Sequence, residues 1–316
     1  MGADYPGAAA GAQLDNGPMP SSPYDVAALL GLAVEKLEEI QRTDPGDPGN
    51  GVWFLWTDAG ECVVLRRYHV LRTELDLLFE AKVLAHLTNR GWEVPSTVAG
   101  PVQYDGRLWA ATRFVPGQAR RDETPEQRAE RGAVLARLHA ELRDLEIDLP
   151  QREGFFQGCD LVAMGNFQDW APGVAALRPR RPDLADRADR AMAGGLKLVA
   201  ERNLLDLPRT IVHGDFAEWN VHFEPLGVID FDLAHLDSRS WEFVMARVHR
   251  SPELLTAYQQ QATELGIPLS AGEIAAIEPL ERIFRINMVM AELWTGRHTG
   301  VFNLEEIEKQ LDRTGW

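Results

Sequence analysis

Residues 211–235 read IVHGDFAEWNVHFEPLGVIDFDLAH. Two short apolar runs, Ile211-Val212 and Val228-Ile229, each deliver an aspartate into a polar stretch. A third strand-like piece, Val221-His222-Phe223, lies between them. The pattern predicts three short strands joined by turns, with Asp215, Asn220 and Asp230 at strand ends. One carboxylate at a strand end costs little when it faces water. Three polar groups converging on one point are another matter, because the carboxylates repel each other unless a cation or a substrate joins them.

Upstream, the order of elements sets the frame. Residues 24–42 carry Val26, Leu29, Leu30, Val34 and Leu37 at helical spacing, which predicts a helix. GVWFLWTDAGECVVLRRY (51–68) reads as a hairpin around Thr57–Gly60, and PVQYDGRLWAATRFV (101–115) as a second one turning at Asp105-Gly106. Between them, 71–87 predicts a helix whose apolar face is Leu71, Leu75, Leu78, Phe79 and Leu87. The stretch FVPGQARRDETPEQ breaks the pattern, so one lobe is placed at 24–115 and a second at 116–316. Thr124–Gln127 is a capping box with proline at the first helical position. It opens a helix bearing Val134, Leu138 and Leu142, and 183–202 reads as another. Everything after 240 reads as helical, with Ser270/Glu273 and Asn303/Glu306 as caps. Residues 1–23, rich in Gly, Ala and Pro, are expected to form a disordered tail.

Bulk properties narrow the function classes. The 316 residues suffice for two lobes. The formal charge of −16 supplies no basic field for nucleic acid or an anionic membrane surface, and suits a neutral or cationic small partner. No apolar run approaches a membrane span, and the first residues do not read as a signal peptide. The two cysteines, Cys62 and Cys159, lack metal-ligand spacing and fit a reducing cytoplasm.

The opening stretch spaces its groups as His-Gly-Asp, four residues, Asn, nine residues, then Asp-Phe. Phosphoryl transfer from a nucleotide asks little covalent chemistry of a protein. It needs ligands for a cation that bridges phosphates, and an acceptor-only oxygen that orients the attacking hydroxyl. Carboxylate and amide oxygens suit Mg²⁺. Asp215, Asn220 and Asp230 supply that set, while His213 reads as a loop brace.

HGDFAEWN followed by VIDFD resembles the catalytic loop and metal-binding segment of the aminoglycoside phosphotransferase and choline kinase group, small-molecule relatives of the protein kinases. The resemblance extends from about residue 45 to 245. It implies an α+β, bilobal, protein-kinase-like fold: a small N-terminal antiparallel β lobe with an inserted helix, and a larger, mainly helical C-terminal lobe. It implies Asp215 as catalytic base, Asn220 and Asp230 as Mg²⁺ ligands, and ATP or GTP as donor. NGVWFLWTDAGECVVLRR, which begins at Asn50, looks like the family's phosphate-covering hairpin and the strand after it. Arg66 falls where a cation holds the α/β-phosphates, and Glu80 where a glutamate pairs with that cation. ATRFVPG looks like the hinge, where the carbonyl of Arg113 and the N–H of Val115 would hold the base. The family's Asp-Phe-Gly reads Asp230-Phe231-Asp232 here. Where the family has a later Asp bracing the catalytic loop, Glu242 stands.

The chain has no room for an activation segment between Asp230 and the helix near 240, which favours a small acceptor. Glu218, Asp237 and Trp294 are the candidate acceptor-binding residues, with Glu281 and Glu292 nearby in kind. The expected acceptor is a hydroxyl of an antibiotic or related natural product, for resistance or tailoring. Alternatives are a metabolic kinase for choline, homoserine or a sugar. Two readings stand outside that class. One is a dinuclear metal phosphoesterase built on His213, Asp215, Asp230 and His235, and the other a catalytically silent pseudokinase. A monomer or homodimer is expected, with neither nucleic acid nor membrane as partner.

Overall fold

The structure is a computed structural model and describes residues 22–41, 49–149, 158–245 and 252–316. Of the predicted tail, residues 1–21 lie outside the described residues, and the rest is not tail. Ser22 caps the first helix through the Tyr24 N–H, and Pro23 begins it.

The predicted helix over 24–42 divides. Helix α1 covers only Pro23–Leu29, and Gly31, at φ +73, turns the chain out of it. Strand β1 (Val34–Gln41) follows and pairs antiparallel with β2 (Gly51–Thr57). Val34 and Leu37 are three apart, a helical interval. In a regular strand they would face opposite sides. A register shift between Val34 and Lys36 inserts one residue, so both reach the same apolar cluster.

Strand β3 (Cys62–Arg67) completes the first hairpin in register from Trp56↔Cys62 to Gly51↔Arg67. Helix α2 (Glu74–Asn89) leads to the second hairpin, β4 (Thr97–Tyr104) and β5 (Arg107–Arg113). Asp105 and Gly106 both have positive φ there, 51 and 68, the geometry whose twist matches flanking strands. The five strands order as β1-β2-β3-β5-β4. Trp53 stacks on Trp109 with ring centroids 5.1 Å apart, over Leu55 and Leu65, a contact contributing about 0.5–1.5 kcal/mol beyond its area. On α2 the buried face is Leu77, Phe79, Glu80, Val83, Leu84 and Leu87. The predicted Leu75 and Leu78 are instead 51% and 44% exposed. Their side of the helix looks away from the second core, which the other face joins.

After the hinge, β6 (Gln118–Ala119) and α3 (Pro125–Leu142, with its capping box) lead into α4 (Trp170–Leu177) and α5 (Pro182–Glu201). The opening stretch forms β7 (Arg209–Val212), β8 (Val221–Phe223) and β9 (Gly227–Val228), followed by β10 (His235–Ser238). Strand β7 pairs with β10, and β8 pairs with both β6 and β9. Helices α6 (Ser240–Met245), α7 (Pro252–Glu264), α8 (Ala271–Thr299) and α9 (Leu304–Thr314) finish the chain. Among the described residues no helix is long and apolar enough to cross a membrane. Phe79, Val83, Leu84 and Leu87 of α2 share one cluster with Val134 and Leu138 of α3 and Phe216 and Phe231 beside the acidic motif. The small lobe is thereby keyed into the large one.

Candidate active site

Between the sheet and the helical lobe lies a cavity of about 280 Å³. Val52, Phe54 and Val64 roof it, the 112–115 segment closes its back, and Ile229 and Asp230 form its floor. Val115 is buried, and its N–H carries no hydrogen bond to the described residues. Arg113 lines the same wall, with its backbone N–H on Ser96 and its side chain on Glu93.

The floor is assembled by lacing the two halves of the motif together. His213 is fully buried, and its Nε2 sits 2.8 Å from the Ile229 carbonyl. Its Nδ1 accepts the Asp215 N–H, so the proton belongs on Nε2. Ile229 in turn donates its N–H to the Asn220 carbonyl. Gly214, at φ +84, permits the close crossing, because a Cβ there would collide with the Leu233 carbonyl. Glu242, fully buried, accepts the N–H groups of His213 and Gly214. Burial opposes its charge, but the nearby His139 imidazole, 3.7 Å away, and the His213 ring and amide hold it below the usual carboxylate range. Arg131 adds a second brace, donating to the Phe216 carbonyl at 3.0 Å while Glu123 grips its other edge at 2.8 Å. Nothing in the local sequence marks Arg131 for this role; only its burial reveals it.

Asp230 lines this floor, and Asn220 and Asp215 lie just beside it, Asn220 through its carbonyl on the Ile229 N–H. Asn220 donates its amide to the Asp215 carbonyl at 2.8 Å and to Asp215 Oδ2 at 3.0 Å. Burial pushes the Asp215 carboxyl up to about 7. The negative charges of Asp230 and Asp232 add to that, and Asn220 offsets part of it. Asp230 holds φ +67, a left-handed conformation that costs an L-residue roughly 1–2 kcal/mol and persists where surrounding contacts over-determine it. Asn220 Oδ1 and Asp230 Oδ2 carry no hydrogen bond from the described residues. An open amide oxygen and an open carboxylate oxygen, both near Asp215, are a donor pair that suits Mg²⁺. Among the described residues no cluster of three His, Cys, Asp or Glu could hold a metal unaided.

Arg66 sits at the end of β3 beside this floor, and its partners differ from expectation. Its Nη2 lies 2.6 Å from Asp230 Oδ1 and 3.1 Å from Asp232 Oδ2, and no ion pair forms with Glu80. Burial works against the Arg66 charge, but the two aspartates outweigh it and raise its pKa. Glu80 lines the same cavity with 5% exposure. Burial pushes it up to about 7, against the pull of Arg66. Asp232, only a departure from pattern in the sequence, is the missed residue, for it also faces Arg72 at 3.6 Å and accepts from Asn50 at 2.8 Å.

Other expectations shift too. The β2–β3 turn does not cover the site. Register puts it at the far end of the hairpin, roughly 15 Å along the strand from Arg66 at about 3.4 Å per residue. The other end, at Gly51, is the one beside the floor; residues 42–48 leading to it lie outside the described residues. Asn50 is near the site, but its amide is spent on Asp232 and on the His69 N–H. Asp237 is not an acceptor contact. The inward face of β10 buries it, where it accepts from the Cys159 N–H at 2.9 Å and the Ser238 N–H at 2.6 Å. Trp294 is 3% exposed, stacked on His298 and packed against His69, so no face of it is open to an acceptor. Glu218 remains half-buried in the turn after Asp215. The dinuclear alternative loses its ligands. Both ring nitrogens of His213 face protein groups, and those of His235 face the Leu233 carbonyl and Asp237.

Comparison with known proteins agrees with this geometry. The model of the family described as "Phosphotransferase enzyme family" matches residues 40–273. A homoserine kinase of Methylocella silvestris is 27% identical over 266 residues, spanning 77% of each chain. Among solved structures, an amicoumacin kinase in complex with AMP-PNP, Ca²⁺ and Ami superposes with a TM-score of 0.65 at 14% identity, covering 93% of this chain and 94% of that one. A microcompartment-associated aminopropanol kinase gives 0.63 at 16% identity, covering 92% and 93%. The likeness to both structures establishes the protein-kinase-like fold.

Proposed function

This chain belongs to the phosphotransferase enzyme family, and from that premise we propose that it transfers the γ-phosphate of ATP or GTP, with Mg²⁺, to the hydroxyl of a small amino-bearing alcohol of the homoserine kind. The observation that carries the reading is the pair of open oxygens, Asn220 Oδ1 and Asp230 Oδ2: Asp230 lines the nucleotide-sized cavity, and Asn220 is hydrogen-bonded to the Asp215 carboxylate, which feels the Asp230 charge. Asn220 and Asp230 would hold Mg²⁺, whose chemistry there would be to neutralise charge on the transferring phosphoryl group. Asp215 accepts the hydrogen bond of the attacking hydroxyl and takes its proton. Asn220 holds Asp215 through Oδ2 and leaves Oδ1 toward the acceptor. Arg66 offers its guanidinium to the phosphates, and the Val115 N–H offers a donor to the base. The Cys62 and Cys159 thiols are free, the state that a reducing cytoplasm maintains.

The homoserine kinase relative puts an amino acid hydroxyl ahead of the antibiotic hydroxyl expected from the sequence. Antibiotic kinases share the fold, which keeps an antibiotic hydroxyl as the second acceptor class. A single panel tests both. Purified protein is incubated with radiolabelled ATP or GTP and Mg²⁺ together with homoserine, choline, aminopropanol, a sugar series or an aminoglycoside series. Phosphate transfer to one amino alcohol, abolished by EDTA, is the expected result. Labelling of a generic protein with no small molecule accepted would overturn the assignment.

A further inference from the structure

Resting on the reading that Arg66 binds nucleotide phosphates, we propose that Asp232, rather than the helix residue Glu80, is the positioning residue that holds Arg66 in place. Asp232 is itself fixed by Arg72 and Asn50. Three side chains converge on Asp232 Oδ2: Arg66 at 3.1 Å, Arg72 at 3.6 Å and the Asn50 amide at 2.8 Å. The orientation of Asn50 is not free to change, because its Oδ1 accepts the His69 N–H at 2.7 Å. That leaves only the NH₂ group to face Asp232. His69 and Arg72 belong to one turn, joined by the Arg72 N–H to the His69 carbonyl at 2.9 Å. The segment after β3 thus supplies Arg72, which faces Asp232 directly, and the His69 N–H, which holds Asn50 toward it. On the other side, Asp232 sits in a single helical turn, Phe231–Leu233, whose Phe231 is fully buried. Its carboxylate is anchored from both the chain behind it and the lobe above it.

The two aspartates near Arg66 differ in what else they serve. Asp230 has one oxygen open and is the candidate cation ligand, whereas Asp232 is 6% exposed and turned onto Arg and Asn side chains. Both Arg66 contacts run through Nη2. Nη1 donates no hydrogen bond to the described residues, so the fork has a donor edge left for a phosphate. Glu80 lines the same cavity and feels the Arg66 charge, but forms no ion pair with it. The aspartate at the third position after Asp230-Phe231 therefore does for Arg66 what the helix glutamate was expected to do.

A double-mutant cycle reads this directly, with binding of Mg²⁺–AMP-PNP measured by calorimetry on the full chain. Asp232→Asn is expected to weaken binding roughly tenfold, but by less than about twofold once Arg66 is already alanine, because coupled residues do not add. Asp232→Glu, which keeps the charge, recovers part of the loss, and Glu80→Gln weakens binding by less than Asp232→Asn. If Asp232→Asn costs as much in the Arg66→Ala background as alone, Asp232 acts on the nucleotide or cation directly and the proposal fails. It fails equally if Glu80→Gln is the larger of the two effects. A distinct result, Arg66→Ala binding Mg²⁺–AMP-PNP as tightly as the parent, would instead remove the phosphate role of Arg66 from the proposed function. Melting curves check each variant. Should Asp232→Asn not fold, Asn50→Ala removes one contact to Asp232 and leaves every charge paired. It should weaken binding about threefold through the same coupling, and an unchanged affinity counts against the proposal.

Discussion

Asp215 carries the sharpest prediction at the scale of one residue. Asp215→Ala lowers kcat by roughly 10²–10⁴, the usual range for a positioned base, while AMP-PNP binding, read by calorimetry, survives. The pH dependence follows from its environment. Its carboxyl is pushed up to about 7 by burial and then by Asp230 and Asp232. Below that pH the group is already protonated and cannot take the hydroxyl proton, so kcat/KM falls along an acid limb with its midpoint near 7. If Asp230 holds Mg²⁺ as proposed, its neutralised charge moves the kcat midpoint of the loaded enzyme to lower pH, and a pH series of initial rates compares the two. Stability has the same origin. The folded value lies above the ordinary 3.8, so the folded state holds the extra proton between those values. Stability is present below 3.8 and is lost as pH rises through about 7. Asp215→Asn is therefore expected to melt at a higher temperature than the parent at pH 8, with the gap closing toward pH 4. A constant gap across that series would contradict the assignment. Asp215, Asn220 and Asp230 were legible as a spaced set. Asp232 was not, because an aspartate after Asp-Phe has no local sign of which guanidinium it will meet.

Among the elements, α3 does two jobs. Its Arg131 clamps the loop that carries Asp215, and its Gly132 lies directly against α7, where a Cβ would collide with the Leu254 carbonyl. Gly132→Ala should force the two helices apart and destabilise the fold by about 1–3 kcal/mol, seen as a lower urea midpoint with an unchanged slope. A variant as stable as the parent would mean that the contact relaxes without cost. The capping boxes at Thr124 and Ser270 and the Asp105-Gly106 turn are formed as their sequences indicate. Each is a bond among neighbours within a few residues, which is why it can be read in advance. Strand β1 was hidden for the opposite reason. Its intervals of three match a helix until a bulge, set by the partner strand, changes the count.

For the whole molecule, the hinge near 116 separates the sheet from the helices but does not separate the cores. Phe79, Val83, Leu84 and Leu87 of the first lobe complete the cluster around Leu138, Phe216 and Phe231. A fragment of residues 116–316 alone is therefore expected to lack cooperative melting and to bind hydrophobic dye, because losing α2 uncovers that cluster. A fragment with a sharp transition and near-ultraviolet circular dichroism like the parent's would show that the lobes fold independently. The keyed helix also carries Glu80 at the cavity wall, so the site depends on the two lobes being assembled.

By itself the sequence determined what acts over short range: the hairpins, the helix caps, the strand-loop-strand motif and the order of a β lobe before a helical one. Turn chemistry and the two periods of side-chain direction act within a few residues, and so they survive being read as a string. Only the tertiary structure decided which charges meet. Arg66 reaches Asp230 across 164 positions and Asn50 reaches Asp232 across 182, and no local rule ranks Asp232 above Glu80 as partner. It also decided that Asp237 and Trp294 are interior. Burial of a polar or aromatic side chain depends on what the rest of the chain packs over it, and ion pairing depends on distance through space, neither of which is written in sequence spacing.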